Sequence, residues 1–261
     1  MKQTNIIRIQ RGTTIALLTA GVFLSGLVAP GQVVLRPNST PYGKSYGEWL
    51  AAHWQWLLSI QVSQHPLFQD GNVDLTLNQP PGPVWFLGGT FTVTPVPGSS
   101  DVIGKANRTG TIPAGKALFF PILDTEWDNA QPPPNPPTTF TTDQLRQFAA
   151  AQMNSAINLA CEIDGVSVQN LSNPTTSPYR VTTPVFNYWL PATDNVDQFF
   201  GLDITGVVSG AVADGICIML APLPVGQHRI HFTGTIPGSG GAGAFILDIT
   251  YNITVAPHRT D

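Results

Sequence analysis

The stretch 244–255 constrains the fold more than any other part of this chain. In it Phe245, Leu247, Ile249, Tyr251, Ile253 and Val255 alternate with Asp248, Thr250, Asn252 and Thr254. A period of two sends the first set to one side of an extended strand and the second set to the other, giving one buried and one wet face. Such a strand needs neighbours to pair with and a second layer over its apolar side. Further strand-like runs at 84–87, 90–94, 117–123, 180–186, 202–208, 213–220 and 228–233, each bounded by turn residues, can supply both. The 25 glycines and 24 prolines, against 11% charged residues, suit many strands joined by turns. No strand–helix–strand rhythm is present. The sequence therefore predicts a mostly β chain, an antiparallel β-sandwich of jelly-roll-like character with two packed α-helices.

Those helices are expected at about 46–60 and 142–157. In the first, Tyr46, Trp49, Leu50, His53, Trp56, Leu57 and Ile60 share an arc of about 120°, opposite Glu48, Gln55 and Ser59. In the second, Thr141 and Gln144 have capping-box spacing ahead of an apolar stripe of Leu145, Phe148, Ala149, Met153, Ala156 and Ile157. Between them the run 131–139 (QPPPNPPTT) is too rich in proline for regular structure and is expected as a surface loop. Residues 32–261 are expected to form one domain.

At the N-terminus Lys2, Arg8 and Arg11 precede an uncharged, partly apolar run ending at Pro30. This is the pattern of a secretory signal over residues 1–31, with cleavage near Ala29 or Gly31. The expected location is secreted or periplasmic, with no stable membrane span after cleavage. Removing three of the 12 basic residues leaves 9 against 16 acidic ones, a net charge of −7 that argues against nucleic acid as a partner. In an exported chain the two cysteines, Cys161 and Cys217, are expected to pair as a disulfide.

The run Asp124-Thr125-Glu126-Trp127-Asp128-Asn129 follows the apolar segment 117–123 directly. If the strand continues, Asp124, Glu126 and Asp128 share one face at spacings of about 7 Å, and three like charges there need neutralising. Two chemistries would use them: a Ca²⁺ site of oxygen ligands, or a carboxylate pair for glycoside hydrolysis, with Glu48 as a further acid beside Trp49. A solvated strand end is the plainer alternative. Trp85 and Trp127 could line a ligand cleft, and His53, amid the aromatic stripe, could be a ligand-binding group or a satisfied core histidine. Gly43-Lys44-Ser45-Tyr46-Gly47 has G-x-S-x-G spacing but no apolar strand before it. His228 and His231, three apart on a strand, face opposite ways.

Three motifs, Tyr46-Gly47-Glu48-Trp49 with Trp54-Gln55-Trp56, then 82–90 (GPVWFLGGT), then 112–122 (IPAGKALFFPI), resemble an uncharacterised family of exported bacterial proteins, across about residues 42–129. The resemblance implies bacterial export and no particular activity. It also implies a cysteine pair in relatives where this chain carries Leu75 and Gly110. The functional expectation is a cell-envelope or extracellular binding or structural component recognising a glycan or a partner protein. A carbohydrate-active hydrolase and a self-assembling surface subunit are the alternatives.

Overall fold

A computed structural model describes residues 33–131 and 139–257. The expected signal segment 1–31 and the interior of the Pro-rich loop 131–139 lie outside the described residues. In chain order the elements are α1 (Tyr46–Leu58), β1 (Gly71–Asn72), β2 (Val84–Phe86), β3 (Thr94–Pro95), β4 (Val102–Pro113), β5 (Ala117–Trp127), α2 (Thr142–Asn154), β6 (Ile157–Ile163) and β7 (Val166–Ser167). They continue with β8 (Arg180–Thr182), β9 (Phe186–Leu190), α3 (Val196–Phe199), β10 (Gly206–Leu220), β11 (Gly226–Ile236) and β12 (Phe245–Ala256). The two expected helices are present, each a few residues shorter at its C-terminal end.

The strands form two sheets. One has the order β1-β4-β12-β11-β6-β7 with β3 also on β4; the other runs β2-β5-β10-β8 with β9 also on β10. The predicted sandwich is thus present, and most pairings are antiparallel. Three are parallel: β1 with β4, β2 with β5, and β12 with β4, the last in register from Phe245↔Val102 to Ala256↔Pro113. Parallel neighbours need a long crossover, and here the chain between β4 and β12 provides it.

Strand β4 carries no apolar alternation in its sequence because its inward positions are Gly104, Ala106, Arg108, Gly110 and Ile112, mostly small or charged rather than large and apolar. Gly110 and Leu75 meet in space. A Cβ at Gly110 would fall 2.5 Å from Leu75 Cγ, so here the leucine occupies the volume a side chain at 110 would need.

Between the sheets, Phe120, Ile216 and Ile218 meet Phe232, Ile249 and Tyr251, with Phe120 stacked on Phe232 at 5.3 Å between ring centroids. The opposite face of the five-stranded sheet carries Ala117, Phe119, Cys217 and Met219. It is covered by the aromatic stripe of α1, with Tyr46, Trp49, Leu50 and Trp56 all buried. Burial on both faces explains why 117–123 reads as an unbroken apolar run. Each fully buried large side chain contributes about 1.5–3 kcal/mol, which makes this three-layer stack the main source of stability.

The expected disulfide is corrected by this layering. Cys161 on β6 belongs to the core between the sheets, whereas Cys217 on β10 faces α1 on the far side of the other sheet, and both are free thiols. A bridge requires Cα atoms within about 7 Å and converging side chains, which this arrangement denies. Burial pushes the Cys161 thiol up to about 12 and holds the Cys217 thiol well above its usual range, so both stay protonated.

Candidate functional site

Where β5 pairs with β10, Ile216 faces Leu123 while Cys217 faces Pro121, so Ile122 is the extra residue of a β-bulge. The bulge inverts the side-chain alternation. Before it, Ala117 and Phe119 face α1; after it, Leu123 joins the core between the sheets and Asp124 turns to the α1 side. Gly215, the cross-strand partner of Asp124, leaves the room: a Cβ there would lie 2.5 Å from Asp124 Cβ.

Helix α1 supplies the facing residues. Its start is a capping box in which the Ser45 side chain accepts from the Glu48 backbone N–H, while the Ser45 backbone N–H donates to Glu48 Oε2 at 2.7 Å. These bonds hold the exposed Glu48 carboxyl below the usual range. Glu48 therefore caps a helix and does not join Asp124. The serine of the G-x-S-x-G spacing is the helix cap.

Two turns on, His53 is 2% exposed, and its Nε2 lies 2.8 Å from the carbonyl oxygen of Leu87. A carbonyl can only accept, so Nε2 carries the proton and Nδ1 presents a lone pair. Burial pushes the ring's pKa down to about 4, keeping it neutral at physiological pH. His53 Nδ1 is buried and has no hydrogen-bond partner among the described residues; the same holds for Trp54 Nε1 and Asp124 Oδ2.

These groups border a cavity of about 380 Å³. Its walls are predominantly apolar: Leu57 from α1, Leu67, Phe91, Pro121 and Leu123, with Val102, Phe245 and Leu247 from the seven-stranded sheet. At its mouth an aromatic group forms, with Phe68 stacked on Phe91 at 5.2 Å and Phe200, 54% exposed, edge-on to Phe91 at 6.1 Å. Asp124 as a residue is only partly buried, yet its carboxyl sits deep enough for desolvation to raise its pKa to about 7. The Trp54 indole N–H lies close enough to favour the ionised form but outside hydrogen-bond geometry.

The wall at 88–91 is fastened from beneath by Arg108 of β4, which is fully buried. Its guanidinium donates from Nε to Gln69 O at 2.9 Å, from Nη2 to Leu67 O at 3.1 Å, and from Nη1 to Gly89 O and Tyr251 Oη, both at 2.8 Å. His65, also buried and neutral, accepts at Nδ1 from the Leu67 N–H and binds the Leu57 carbonyl through Nε2.

The remaining acids, Glu126 of β5 and Asp128 just beyond it, do not converge with Asp124. The Asp128 carboxylate accepts from Tyr188 Oη at 2.5 Å. Glu126, between them, is held well above the usual range by desolvation and by its neighbours Asp128 and Asp197. Protons therefore neutralise much of this acidic face. Among the described residues no group of three His, Cys, Asp or Glu side chains could hold a metal ion, so Asp124, Glu126 and Asp128, the candidate Ca²⁺ ligands, are not brought together as one. The cause is the strand's pitch: successive carboxylates on one face stand about 7 Å apart and turn to different neighbours.

Trp127 lies under α2, its ring 5.1 Å from Phe148 and its Nε1 donating to Gln152 Oε1 at 3.3 Å. Trp85 sits on β2 with the Lys116 ammonium 5.0 Å from its ring centroid. Neither borders the cavity, so of the residues singled out in the sequence the site gathers Asp124 and His53. Trp54, Phe91, Phe200 and Arg108 emerge only in three dimensions. Trp54 alone left a trace, as an aromatic one position off the apolar stripe of its helix. Comparison with protein-family models, with curated proteins and with solved structures gives no match, and the site is read from its own geometry.

Proposed function

We propose that this is an exported binding protein whose site is the cavity between α1, β5 and the 88–93 loop, and whose ligand is a small, largely apolar molecule with one polar group. The observation that carries the reading is an apolar cavity bordered by three buried polar atoms that lack protein partners among the described residues. Small-molecule sites are typically apolar concavities of about 300–1,000 Å³ with a few convergent polar groups. Each buried polar group left unpaired costs about 1–3 kcal/mol, which a ligand that pairs it returns as affinity. The basic and then apolar composition of residues 1–31 supports the exported part of the reading. Among the described residues no helix is long and apolar enough to cross a membrane.

The lining favours an apolar body over a glycan, whose hydroxyls need many polar partners. Among the described residues Asp124 is the one carboxylate bordering the cavity. Hydrolysis by paired carboxylates needs a second across the same bond, so the binding reading stands ahead of the hydrolase. Titration of the chain from residue 32 with the neutral fluorophore N-phenyl-1-naphthylamine tests it. One saturable site is expected, lost in Val93→Trp, where the larger ring fills the mouth. Absence of saturable binding in the wild type, or binding unchanged in Val93→Trp, would sink the reading.

A further inference from the structure

The cavity's polar atoms are not balanced. Two of the three are acceptors, Asp124 Oδ2 and His53 Nδ1, and the third, Trp54 Nε1, is a donor turned toward the Asp124 carboxyl. Among the described residues no lysine or arginine borders the space, and Arg108 is consumed by four carbonyls and the Tyr251 hydroxyl. Among the described residues near Asp124, the Cys217 thiol of β10 and Glu126, next on the same face, hold their protons, and the His53 ring across the cavity is neutral. The described residues thus offer the Asp124 carboxylate no counter-charge.

We infer that the ligand is a hydrophobic amine, its ammonium head set against the Asp124 carboxylate and the His53 Nδ1 lone pair, its alkyl or aryl body in the apolar cavity. The inference rests on the cavity being a ligand site as proposed above. An ammonium brings three donors and no acceptor, which matches two unpaired acceptors and leaves the Trp54 N–H to serve the carboxylate. An alcohol of equal length would satisfy one acceptor and leave the carboxylate without a counter-charge. A carboxylic acid would place like charges together. Near neutrality Asp124 is partly protonated, and an ammonium partner draws it to the ionised form, as an opposite charge within a few ångströms does.

Calorimetric titrations of octylamine, 1-octanol and octanoic acid into the chain from residue 32 at pH 8, with wild type and Asp124→Asn, test the inference. At that pH an alkylamine, with a pKa near the ~10.4 of lysine, is charged. Octylamine is expected to bind roughly tenfold or more tightly than 1-octanol in the wild type, as a charge-assisted bond should give, with the preference gone in Asp124→Asn. If amine and alcohol bind equally in the wild type, or if the preference survives Asp124→Asn, the amine inference is overturned while the cavity remains a ligand site. If neither probe nor N-phenyl-1-naphthylamine binds, the broader reading fails with it. The wild-type comparison decides the matter even if Asp124→Asn does not fold.

Discussion

Asp124 owes its place to Gly215, a neighbour with no side chain. A methyl group on Gly215 would meet Asp124 Cβ at 2.5 Å and Leu123 O at 3.2 Å, closer than packed atoms approach. Gly215→Ala should therefore cost roughly 1–3 kcal/mol in urea unfolding despite the gain in β propensity. In the double variant with Asp124→Gly the two losses should sum to clearly less than additive, since the clash is shared. The carboxyl itself is pH-sensitive. Its pKa in the folded chain, about 7, lies above its ordinary 3.8. Below about pH 4 both folded and unfolded chains hold the proton, and between 4 and 7 only the folded chain does, so stability falls as pH rises through that window. Above 7 the folded chain carries a buried charge. Asp124→Asn removes this loss: the variant should match the wild type at pH 4 and exceed it by roughly 4 kcal/mol at pH 8, read from urea midpoints at the two pH values. Equal stability at both pH values would mean that the carboxyl is well solvated.

Helix α1 is the element that aims His53 and Trp54, and it was the most legible part of the chain. Its buried stripe, from Tyr46 through Trp49, Leu50, His53, Trp56 and Leu57, is the one its spacing predicts, because a 3.6-residue period sustained over thirteen residues fits a helix and no strand. The capping box of α2 was legible for the same kind of reason. The bulge at Ile122 was not, since nothing local distinguishes an extra residue inside a fully buried run, and it is the bulge that moves Asp124 to the helix side. Nor was β4, whose inward Gly104, Ala106, Arg108 and Gly110 lack the alternation by which strands are found. The two thiols misled because pairing in an exported chain is inferred from number, whereas a sandwich assigns them to opposite sides of a sheet. For α1 the cap gives the test. Ser45→Ala removes the side-chain acceptor of the Glu48 N–H and should cost about 1 kcal/mol in thermal or urea unfolding. It should leave N-phenyl-1-naphthylamine affinity unchanged, because His53 and Trp54 lie two turns further on. A matching loss of binding in Ser45→Ala or in Glu48→Ala would instead bring the helix start into the site.

Across the whole molecule one residue joins the three layers that enclose the cavity. Arg108 is rooted in β4 of the seven-stranded sheet, donates to Leu67 and Gln69 in the turns after α1, and donates to Gly88 and Gly89 beyond β2 of the other sheet. Among the described residues no carboxylate pairs with it. Its charge is spread over carbonyl dipoles and the Tyr251 ring, whose centroid is 5.3 Å from Cζ. A planar guanidinium has five N–H donors in a fixed fork, so a single buried side chain can satisfy carbonyls belonging to separate segments. A lysine there has three donors on one nitrogen and cannot reach them all. Arg108→Lys should therefore leave two or more buried carbonyls unpaired, at about 1–3 kcal/mol each. At about 2–4 °C of melting temperature per kcal/mol for a chain of this size, the loss would lower Tm by roughly 5–15 °C. Because Leu67 and Gly89 border the cavity, N-phenyl-1-naphthylamine affinity should fall together with Tm, measured below the transition so that only folded chain is counted. A variant with lowered Tm and wild-type affinity would assign Arg108 to stability alone, and would show that the cavity wall is held by its own packing around His65 and Phe91.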